Sequence, residues 1–544
     1  MTARRGAFHE WTCGGAISLA VLLALAMPGA GARAADGPLK IDSGMISGAR
    51  LGDDGAVRVY KGIPYAAPPV GKLRWAPPQP TANWDGVCAC SQFGAVCPQP
   101  AYAKGSFYAR EPETQSEDCL FLNVWTAAKT AAEKRPVMVW IHGGALSRGS
   151  SSMEVYDGEQ LARQGVVLVS INYRLGPLGY LAHPALSRES PRHASGNYGV
   201  LDQIEALRWV QRNIGAFGGD AERVTIFGES AGSWSVCALV ATPLAKGLFQ
   251  RAIGQSGGGF KPMQHLNEKR NGLDPAEKTG EDLALALGCD KCDDPLAAMR
   301  AKSADEILAA AARDVTGSRT RLIADGWVFP DEIFDIFAAG KQNPVSVMVG
   351  SNADEATSLF GAMAPARAEA LKAVATRRYG EFAERLFEIY PLTSDSDARD
   401  AFLHSSRDEW FTWEMRTWAR LMRKAGLPAY LYYFTRVPPR PDAEKYGAFH
   451  AAEIIYVFDN LARAGWKPQQ ADVQLAETMS GAWVRFATTG DPNGGKLPAW
   501  GVYDERAEPY LEFGETVRAG KQLLKAECDF FDDYYRAQRV QAAP

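Results

Sequence analysis

The sequence has 544 residues, of which 46% are hydrophobic and 22% are charged, and its formal net charge is −4. This composition is ordinary for a globular protein, and no low-complexity tract interrupts it. No block of basic residues stands out, which argues against a nucleic-acid partner.

The N-terminus has the three parts of a secretory signal peptide. Arg4 and Arg5 precede an apolar run over residues 16–27, and small residues follow up to Ala34. A basic start, a short apolar centre and an A-x-A site are typical of a cleaved signal. The run is short for a transmembrane helix, so an uncleaved anchor is the less favoured alternative. We predict a signal peptide over residues 1–34, a secreted or periplasmic location and no stable membrane insertion after cleavage.

Eight of the nine cysteines lie beyond residue 34. An even number in an exported chain permits disulfides, although spacing alone does not give the pairing. Cys289 and Cys292 form a C-x-x-C pair without a second pair nearby, which favours a local disulfide or two free thiols over zinc. We expect neither a metal nor an organic cofactor.

Short β-branched runs alternate with helical patterns along residues 35–544, with no internal repeat or linker, so we predict a single domain there. A helix is predicted over residues 198–214, and residues 266–341 are rich in helix formers, as in a cap. Strand, helix, strand order indicates an α/β fold with a mostly parallel sheet flanked by helices. Buried strands are predicted at residues 137–141, 166–172, 223–227, 345–349 and 431–434, with another around Ile253.

The motif G-x-S-x-G, typical of a nucleophile elbow, occurs twice, around Ser230 and around Ser256. An elbow needs a strand before the serine and a helix after it. Residues 224–227 form a good strand, and residues 231–240 can form a helix. Three glycines and then Lys261-Pro262 follow Ser256, which is a poor start for a helix. We therefore predict Ser230 as the nucleophile.

Backbone N–H groups are predicted to stabilise an oxyanion near Ser230. The strand at residues 137–141 runs into His142-Gly-Gly-Ala145, and glycines there let the backbone approach a reacting carbonyl. We predict the N–H groups of Gly144, Ala145 and Ala231 as the oxyanion hole. Losing one such donor typically reduces the rate by about 10²–10³-fold.

A serine nucleophile requires a histidine base that is oriented by an acid. In this fold the order along the chain is serine, acid, histidine, which favours His450, in a loop after the strand at 431–434, over His404, in a polar helical stretch. Asp354 and Glu355 follow the strand at 345–349, where active sites of such sheets lie. The residues alone leave the choice between these two carboxylates open.

These motifs together resemble the type-B carboxylesterase family, which has the α/β-hydrolase fold. The resemblance extends over roughly residues 60–513. It rests on residues 60–65 (YKGIPY), 117–123 (EDCLFLN), 171–175 (INYRL), 196–199 (GNYG), 217–220 (FGGD), 227–232 (FGESAG) and 447–450 (GAFH).

The resemblance implies Ser230, Glu355 and His450 as the triad, and a supporting role for Ser256. It implies hydrolysis of small-molecule carboxylic esters through an acyl-enzyme intermediate. A lipase, thioesterase or amidase on the same triad is the first alternative. A non-catalytic recognition protein of the same fold is a less favoured one, because such proteins typically lack a triad member.

The resemblance also implies two disulfides, Cys97 with Cys119 and Cys289 with Cys292. The first would stabilise the fold by about 3 kcal/mol on the chain-entropy model.

The sequence departs from the family pattern at three positions: after the Asp354-Glu355 pair, after the elbow motif and after the His-Gly-Gly run. Ala356, Ser233 and Leu146 stand where the family usually has glycine, glycine and an aromatic residue. None of these changes removes a reacting group, but Leu146 is expected to reshape the acyl side of a substrate site. Arg148, two residues further, suggests a contact with the carboxylate of an acidic substrate. The alternative is an arginine that is solvated or paired with a nearby acid.

Overall fold

The computed structural model describes residues 33–34, 37–313 and 321–541. Residues 1–32 of the predicted signal peptide lie outside the described residues. Among the helices that the model describes, none is long and apolar enough to cross a membrane.

Seventeen strands occur within the described residues. They are β1 (Arg33–Ala34), β2 (Leu39–Ile41), β3 (Gly44–Ser47), β4 (Ala49–Leu51), β5 (Val57–Pro64), β6 (Val87–Ala89), β7 (Phe121–Thr126), β8 (Arg135–Ile141), β9 (Val167–Ile171), β10 (Gly219–Glu229), β11 (Arg251–Gln255), β12 (Gln264–His265), β13 (Ile323–Ala324), β14 (Ser346–Asn352), β15 (Ala429–Phe434), β16 (Pro509–Phe513) and β17 (Val517–Lys521).

The α-helices of the described residues are α1 (Glu159–Arg163), α2 (Gly176–Tyr180), α3 (Pro184–Glu189), α4 (Tyr198–Asn213), α5 (Ala231–Ala241), α6 (Ala276–Ala286), α7 (Pro295–Arg300), α8 (Ala304–Arg313), α9 (Ile333–Ala338), α10 (Glu355–Phe360), α11 (Ala368–Tyr379), α12 (Ala383–Ile389), α13 (Ala398–Arg407), α14 (Trp413–Lys424), α15 (Ala443–Tyr446), α16 (Ile454–Val457), α17 (Gln470–Thr489) and α18 (Lys525–Gln541). The helix-rich segment expected over residues 266–341 contains α6 to α9.

Twelve of these strands form one large mixed sheet, in the order β1-β4-β5-β7-β9-β8-β10-β11-β14-β15-β16-β17. In the middle of this order, each neighbouring pair is parallel; these strands are β9, β8, β10, β11, β14, β15 and β16. The edge beginning at β1 and the final pair β16–β17 are antiparallel. The prediction of a mostly parallel α/β sheet is confirmed for its centre, and antiparallel strands extend it at both edges.

The central strands are apolar on both faces because helices cover both sides of the sheet. Along β8, Val137, Val139 and Ile141 belong to one hydrophobic cluster. Met138 and Trp140, which alternate with them, belong to the other. Side chains that alternate in direction along a strand therefore fill two separate cores, which accounts for the unbroken apolar runs in the sequence.

Candidate active site

Ser230 lies in a sharp turn between a strand and a helix. Strand β10 ends at Glu229 and helix α5 begins at Ala231, as the sequence predicts for an elbow. Ser230 itself has φ 58° and ψ −123°, a backbone conformation that is costly for a residue with a side chain. Its N–H donates to the carbonyl oxygen of Gln255 at 2.8 Å, which ties the turn to the neighbouring strand.

The glycines on either side of Ser230 are required by close backbone packing. A Cβ atom on Gly228 would lie 2.6 Å from the carbonyl carbon of Gly232 and 2.6 Å from the carbonyl oxygen of Ile141. A Cβ on Gly232 would overlap the same Ile141 oxygen. Both positions therefore exclude any side chain, because the end of β8 passes directly against the turn.

Ser256, in the second G-x-S-x-G motif, directly follows β11, the strand that pairs with β10. Its φ is also positive at 57°, but no helix follows it. Its N–H donates to the carbonyl of Gly350 at 2.8 Å. Its hydroxyl is buried and has no hydrogen-bond partner within the described part of the chain. The next residue, Gly257, packs so closely that a Cβ there would lie 2.6 Å from the Ser230 carbonyl oxygen.

His450 and Glu355 are in direct contact although 95 positions separate them along the chain. The imidazole Nδ1 lies 2.6 Å from Oε2 of Glu355, and both side chains are almost completely buried. The other oxygen of Glu355 accepts the N–H of Asn352 at 2.7 Å, which fixes the carboxylate at the end of β14. An acceptor at Nδ1 selects the imidazole tautomer whose Nε2 can take a proton.

Asp354, the alternative acid, has a different contact. Its carboxylate accepts the N–H of Ala448 at 2.8 Å, and its own N–H donates to the Ala448 carbonyl at 3.0 Å. A Cβ atom on Gly447 would overlap this carboxylate. Asp354 therefore holds the backbone of the loop that carries His450, while Glu355 contacts the imidazole.

His404, the alternative base, lies on α13, away from Ser230. It lines a separate cavity of about 290 Å³ together with Asp354 and Thr357. Burial lowers the pKa of its imidazole below the usual value. His404 is thus not among the residues that line the cavity containing Ser230.

Glu229, a residue that the sequence reasoning missed, contacts the other side of the imidazole. Its Oε1 lies 3.1 Å from Nε2 of His450. No hydrogen bond joins the Ser230 hydroxyl to His450, both of which are described. Catalytic hydrogen bonds of this kind often form only once substrate is bound. The sequence signal for Glu229 was its position, since this charged residue directly follows the predicted strand at residues 224–227 and Gly228.

The pKa of His450 and that of Glu229 are both raised. Burial alone would lower the pKa of the imidazole, but the carboxylates of Glu229 and Glu355 reverse this and raise it to about 9. Burial raises the pKa of Glu229 well above its usual value. The pair therefore binds protons more tightly than either group would in water.

Glu453 is a second buried carboxylate that sequence reasoning missed. Its two oxygens accept hydrogen bonds from the side-chain amides of Gln255, at 2.9 Å, and Asn352, at 2.6 Å. Burial and the Glu355 carboxylate raise its pKa. Asn352 also donates to the Phe449 carbonyl at 2.9 Å, so this network links the ends of β11 and β14 to the His450 loop.

Two aromatic side chains hold His450 in place. The hydroxyl of Tyr108 donates to the His450 carbonyl at 3.0 Å and contacts the Ser358 hydroxyl at 2.8 Å. The ring of Phe411 packs against the imidazole with 5.0 Å between the ring centroids. Phe411 lies in a π-helical turn, Asp408–Thr412, that joins α13 to α14. Such turns are frequent at functional sites.

The loop after β8 presents unpaired N–H groups beside Ser230. Gly144 and Ala145 have φ values of 109° and 55°. No hydrogen bond to the described residues occupies the N–H of either one. Ala231 is the first residue of α5, where helix N–H groups lack intrahelical partners. A Cβ atom on Gly143 would lie 3.1 Å from the Ser230 Cβ, which shows how closely the loop approaches.

Ser230, His450, Gly144 and Ala145 line one cavity of about 460 Å³, called here the catalytic cavity. Aromatic side chains form much of its wall, among them Tyr102, Phe107, Tyr108, Tyr156 and Trp466. An apolar pocket with a few convergent polar groups is the usual form of a small-molecule site. Within the described residues, no group of three or more His, Cys, Asp or Glu side chains is arranged so that it could hold a metal ion.

The two residues expected to contact substrate lie on different cavities. Arg148 lines the catalytic cavity. Leu146 is buried and lines a neighbouring cavity of about 500 Å³ with Trp234. The positive φ of Leu146, 57°, turns the chain between the two.

Neither disulfide implied by the resemblance is formed. All eight described cysteines are free thiols. Cys97 and Cys119 are both buried, and the hydrogen bond between their thiols, together with burial, raises the pKa of Cys119 well above its usual value. Cys289 is buried and Cys292 is exposed, so these two side chains occupy different environments.

Comparison with known proteins gives a consistent result. The model of the carboxylesterase family matches residues 36–531. Fumonisin B1 esterase of Sphingopyxis macrogoltabida is 37% identical over 88% of this chain and 87% of that protein. Para-nitrobenzyl esterase of Bacillus subtilis (strain 168) is 36% identical over 84% and 91%. A solved structure of PNB esterase superimposes with a TM-score of 0.77 at 31% identity and covers 91% of this chain and 99% of that one.

Proposed function

Because the chain belongs to the carboxylesterase family and is a carboxylic ester hydrolase, we propose that it cleaves small-molecule esters through an acyl-enzyme formed on Ser230. The observation that carries this proposal is the 2.6 Å contact between His450 and Glu355. His450 lines the same cavity as Ser230. A nucleophile, a base and an orienting acid are the components that acyl transfer requires.

In the proposed reaction, the Ser230 hydroxyl attacks the ester carbonyl carbon while Nε2 of His450 takes its proton. The negative charge that develops on the carbonyl oxygen is stabilised by the N–H groups of Gly144, Ala145 and Ala231. The carbon–oxygen bond to the alcohol then breaks, and His450 returns the proton to the leaving alkoxide. Water, deprotonated by His450, attacks the acyl carbon, the bond from that carbon to the Ser230 oxygen breaks, and His450 returns the proton to this oxygen as the acid leaves.

The test compares the wild type with Ser230→Ala on 4-nitrophenyl acetate, butyrate and palmitate. We expect hydrolysis by the wild type, and a loss of about 10⁴-fold or more in the variant, since the nucleophile is gone. Ser256→Ala is the matched control, because this serine lies in the second motif but has no place in the proposed reaction. Equal loss in both variants, or none in either, would contradict the assignment of Ser230. Preference for palmitate would favour a lipase.

A fluorophosphonate probe provides a second test. Mass spectrometry of the labelled protein should find the probe on the peptide that contains Ser230, and labelling should disappear in Ser230→Ala. Modification of another serine would contradict the proposed nucleophile even if the protein hydrolyses esters.

We also propose export, with a disulfide between Cys97 and Cys119 in the oxidised protein. The signal-like N-terminus and the two adjacent buried thiols support this proposal. N-terminal sequencing of the exported protein should begin at Ala35, and peptide mapping without reductant should find the two cysteines linked. A chain that retains residues 1–34, or thiols that alkylate freely after denaturation, would contradict it.

A further inference from the structure

The catalytic cavity has an excess of positive charge. Four arginines line it, Arg110, Arg148, Arg440 and Arg463, together with a single carboxylate, that of Glu229. Glu229 lies against His450, with its Oε1 3.1 Å from Nε2 of the imidazole. A neutral ester needs no such surroundings, because guanidinium groups on a pocket wall are costly to desolvate without a partner.

Three of these arginines have an acidic partner in the protein. Arg440 contacts Asp442 at 2.9 Å, Arg463 contacts Asp157 at 3.3 Å and Arg110 contacts Glu113 at 3.4 Å. The guanidinium groups of Arg440 and Arg463 therefore each have an acidic partner. The third contact is long.

Glu113 is a weak partner for Arg110 because two serines already occupy its oxygens. The hydroxyl of Ser150 donates to it at 2.8 Å, and the hydroxyl of Ser152 donates to it as well. Nη1 of Arg110 is buried and has no hydrogen-bond partner in the parts of the chain that are described. Arg110 therefore retains unused hydrogen-bonding capacity beside the cavity.

Arg148 has no acidic partner at all within the described residues. No hydrogen bond or ion pair joins its guanidinium to them, and its Nε is buried without an acceptor. Its guanidinium carbon lies 5.2 Å from the centroid of the Tyr102 ring. Arg110 faces the same ring at 5.8 Å. Two guanidinium groups with unmet donors thus flank one aromatic side chain of the cavity.

The backbone of Arg148 is fixed to the oxyanion loop. Its N–H donates to the Gly144 carbonyl at 2.9 Å. On its other side, Gly149 donates to Oε1 of Gln99 at 2.8 Å and accepts from Nε2 of Gln99 at 2.9 Å. An anion bound by Arg148 would therefore lie at a restricted distance from the carbonyl held by the Gly144 and Ala145 N–H groups.

We propose that Arg148, assisted by Arg110, binds a free carboxylate of the substrate, so that the preferred substrates are esters that carry a second, ionised carboxyl group. This inference rests on the proposed esterase function and names its substrate class. The planar donors of a guanidinium match the two oxygens of a carboxylate, and a bound carboxylate would supply the acceptor that Arg148 lacks.

The test uses two pairs of esters that differ only in charge. Monoethyl glutarate is compared with its carboxamide analogue, and 4-acetoxybutanoate is compared with 4-acetoxybutanamide. The first pair places the carboxylate on the acyl part and the second on the alcohol part. We expect the wild type to prefer the acid in at least one pair.

Arg148→Gln should lower kcat/KM for the preferred acid by about 10–100-fold, as expected for loss of a hydrogen bond to a charged group, and leave the matched amide unchanged. Arg148→Lys should retain part of the preference, and Arg110→Gln should reduce it less. Arg463→Gln is the control, since this arginine lines the same cavity but is paired with Asp157. Equal loss on acid and amide, or no loss on either, overturns the proposal.

A binding measurement separates this proposal from the esterase mechanism. Ser230→Ala, titrated calorimetrically with monoethyl glutarate and with 4-acetoxybutanoate, should bind at least one of them more tightly than Ser230→Ala/Arg148→Gln does, and the difference should shrink at high salt. Failure of the wild type to hydrolyse any ester, with this binding difference intact, would contradict the proposed function alone. Equal affinity of the two variants overturns the carboxylate site even if esters are hydrolysed.

Discussion

Nε2 of His450 lies 3.1 Å from Oε1 of Glu229, the residue that immediately precedes the proposed nucleophile. The imidazole thus contacts carboxylates through both of its nitrogens, Glu355 at Nδ1 and Glu229 at Nε2. Both carboxylates favour the protonated imidazole, whereas the proposed reaction requires its neutral form. The pH dependence of the reaction should report this contact.

We expect kcat/KM to rise with pH through about 9, because the pKa of His450 is raised to about 9 and only the neutral imidazole accepts a proton. Glu229→Gln removes one of the two carboxylates that raise this pKa while preserving size. The acidic limb of the profile should therefore move to lower pH.

Glu453→Gln serves as a graded comparison for Glu229→Gln. Glu453 also raises the pKa of His450, but it contributes less and hydrogen-bonds to Gln255 and Asn352 instead. Its removal should move the acidic limb in the same direction by a smaller amount. An unchanged profile for Glu229→Gln, or a move to higher pH, would show that Glu229 does not control the imidazole.

A second prediction separates Glu355 from Asp354. Glu355→Gln leaves a side chain of the same shape but favours the wrong imidazole tautomer, so kcat should fall by about 10⁴-fold. Asp354→Asn, its matched control, alters a carboxylate that holds the Ala448 N–H and does not contact the imidazole. Its expected effect is mainly on thermal stability. A greater loss of kcat in Asp354→Asn than in Glu355→Gln would reverse the two roles.

The third prediction concerns the close packing of the elbow. Gly232→Ala places a methyl group into the Ile141 carbonyl, so the backbone must shift, at a cost of about 1–3 kcal/mol in the free energy of unfolding. Gly215→Ala is the control, because a Cβ atom there meets nothing within 4 Å. Denaturant unfolding of the two variants checks this expectation. Similar stability of both would mean that the elbow has room that the structure does not indicate.

The centre of the sheet was predictable from the sequence, and its edges were not. Most of β8 and the second half of β10, residues 224–228, are apolar runs, which predicts that they are buried between two layers of helices. Strands near the edge, such as β4, Ala49–Leu51, which lies between β1 and β5, are only three residues long and partly exposed. Their pairing depends on neighbours distant in sequence, which a local pattern does not encode.

The same distinction applies to the candidate site. Ser230 could be singled out because its turn, glycines and flanking elements are all local. The choice between Asp354 and Glu355 could not be made locally, since it depends on which side chain faces a loop almost a hundred residues away. Glu229 and Glu453 were missed because a carboxylate in sequence looks solvated, whereas both are buried by strands and helices that converge only in the fold.

The last prediction tests how His450 is positioned. The Tyr108 hydroxyl donates a hydrogen bond to the His450 carbonyl at 3.0 Å. Tyr108→Phe keeps the ring and removes this bond, which typically costs about 1–3 kcal/mol when it leaves a buried carbonyl without a partner. We expect a lower kcat with little change in KM, because the base loses its fixed position while the substrate cavity keeps its shape.

Ser358→Ala is the matched control for Tyr108→Phe, because Ser358 contacts the same hydroxyl at 2.8 Å but does not contact His450. Its kcat should remain closer to that of the wild type than the kcat of Tyr108→Phe does. Steady-state kinetics of both variants on one ester decide the matter. If Ser358→Ala lowers kcat as much as Tyr108→Phe, the hydroxyl acts through Ser358 and α10, and its bond to the His450 carbonyl is not what positions the base.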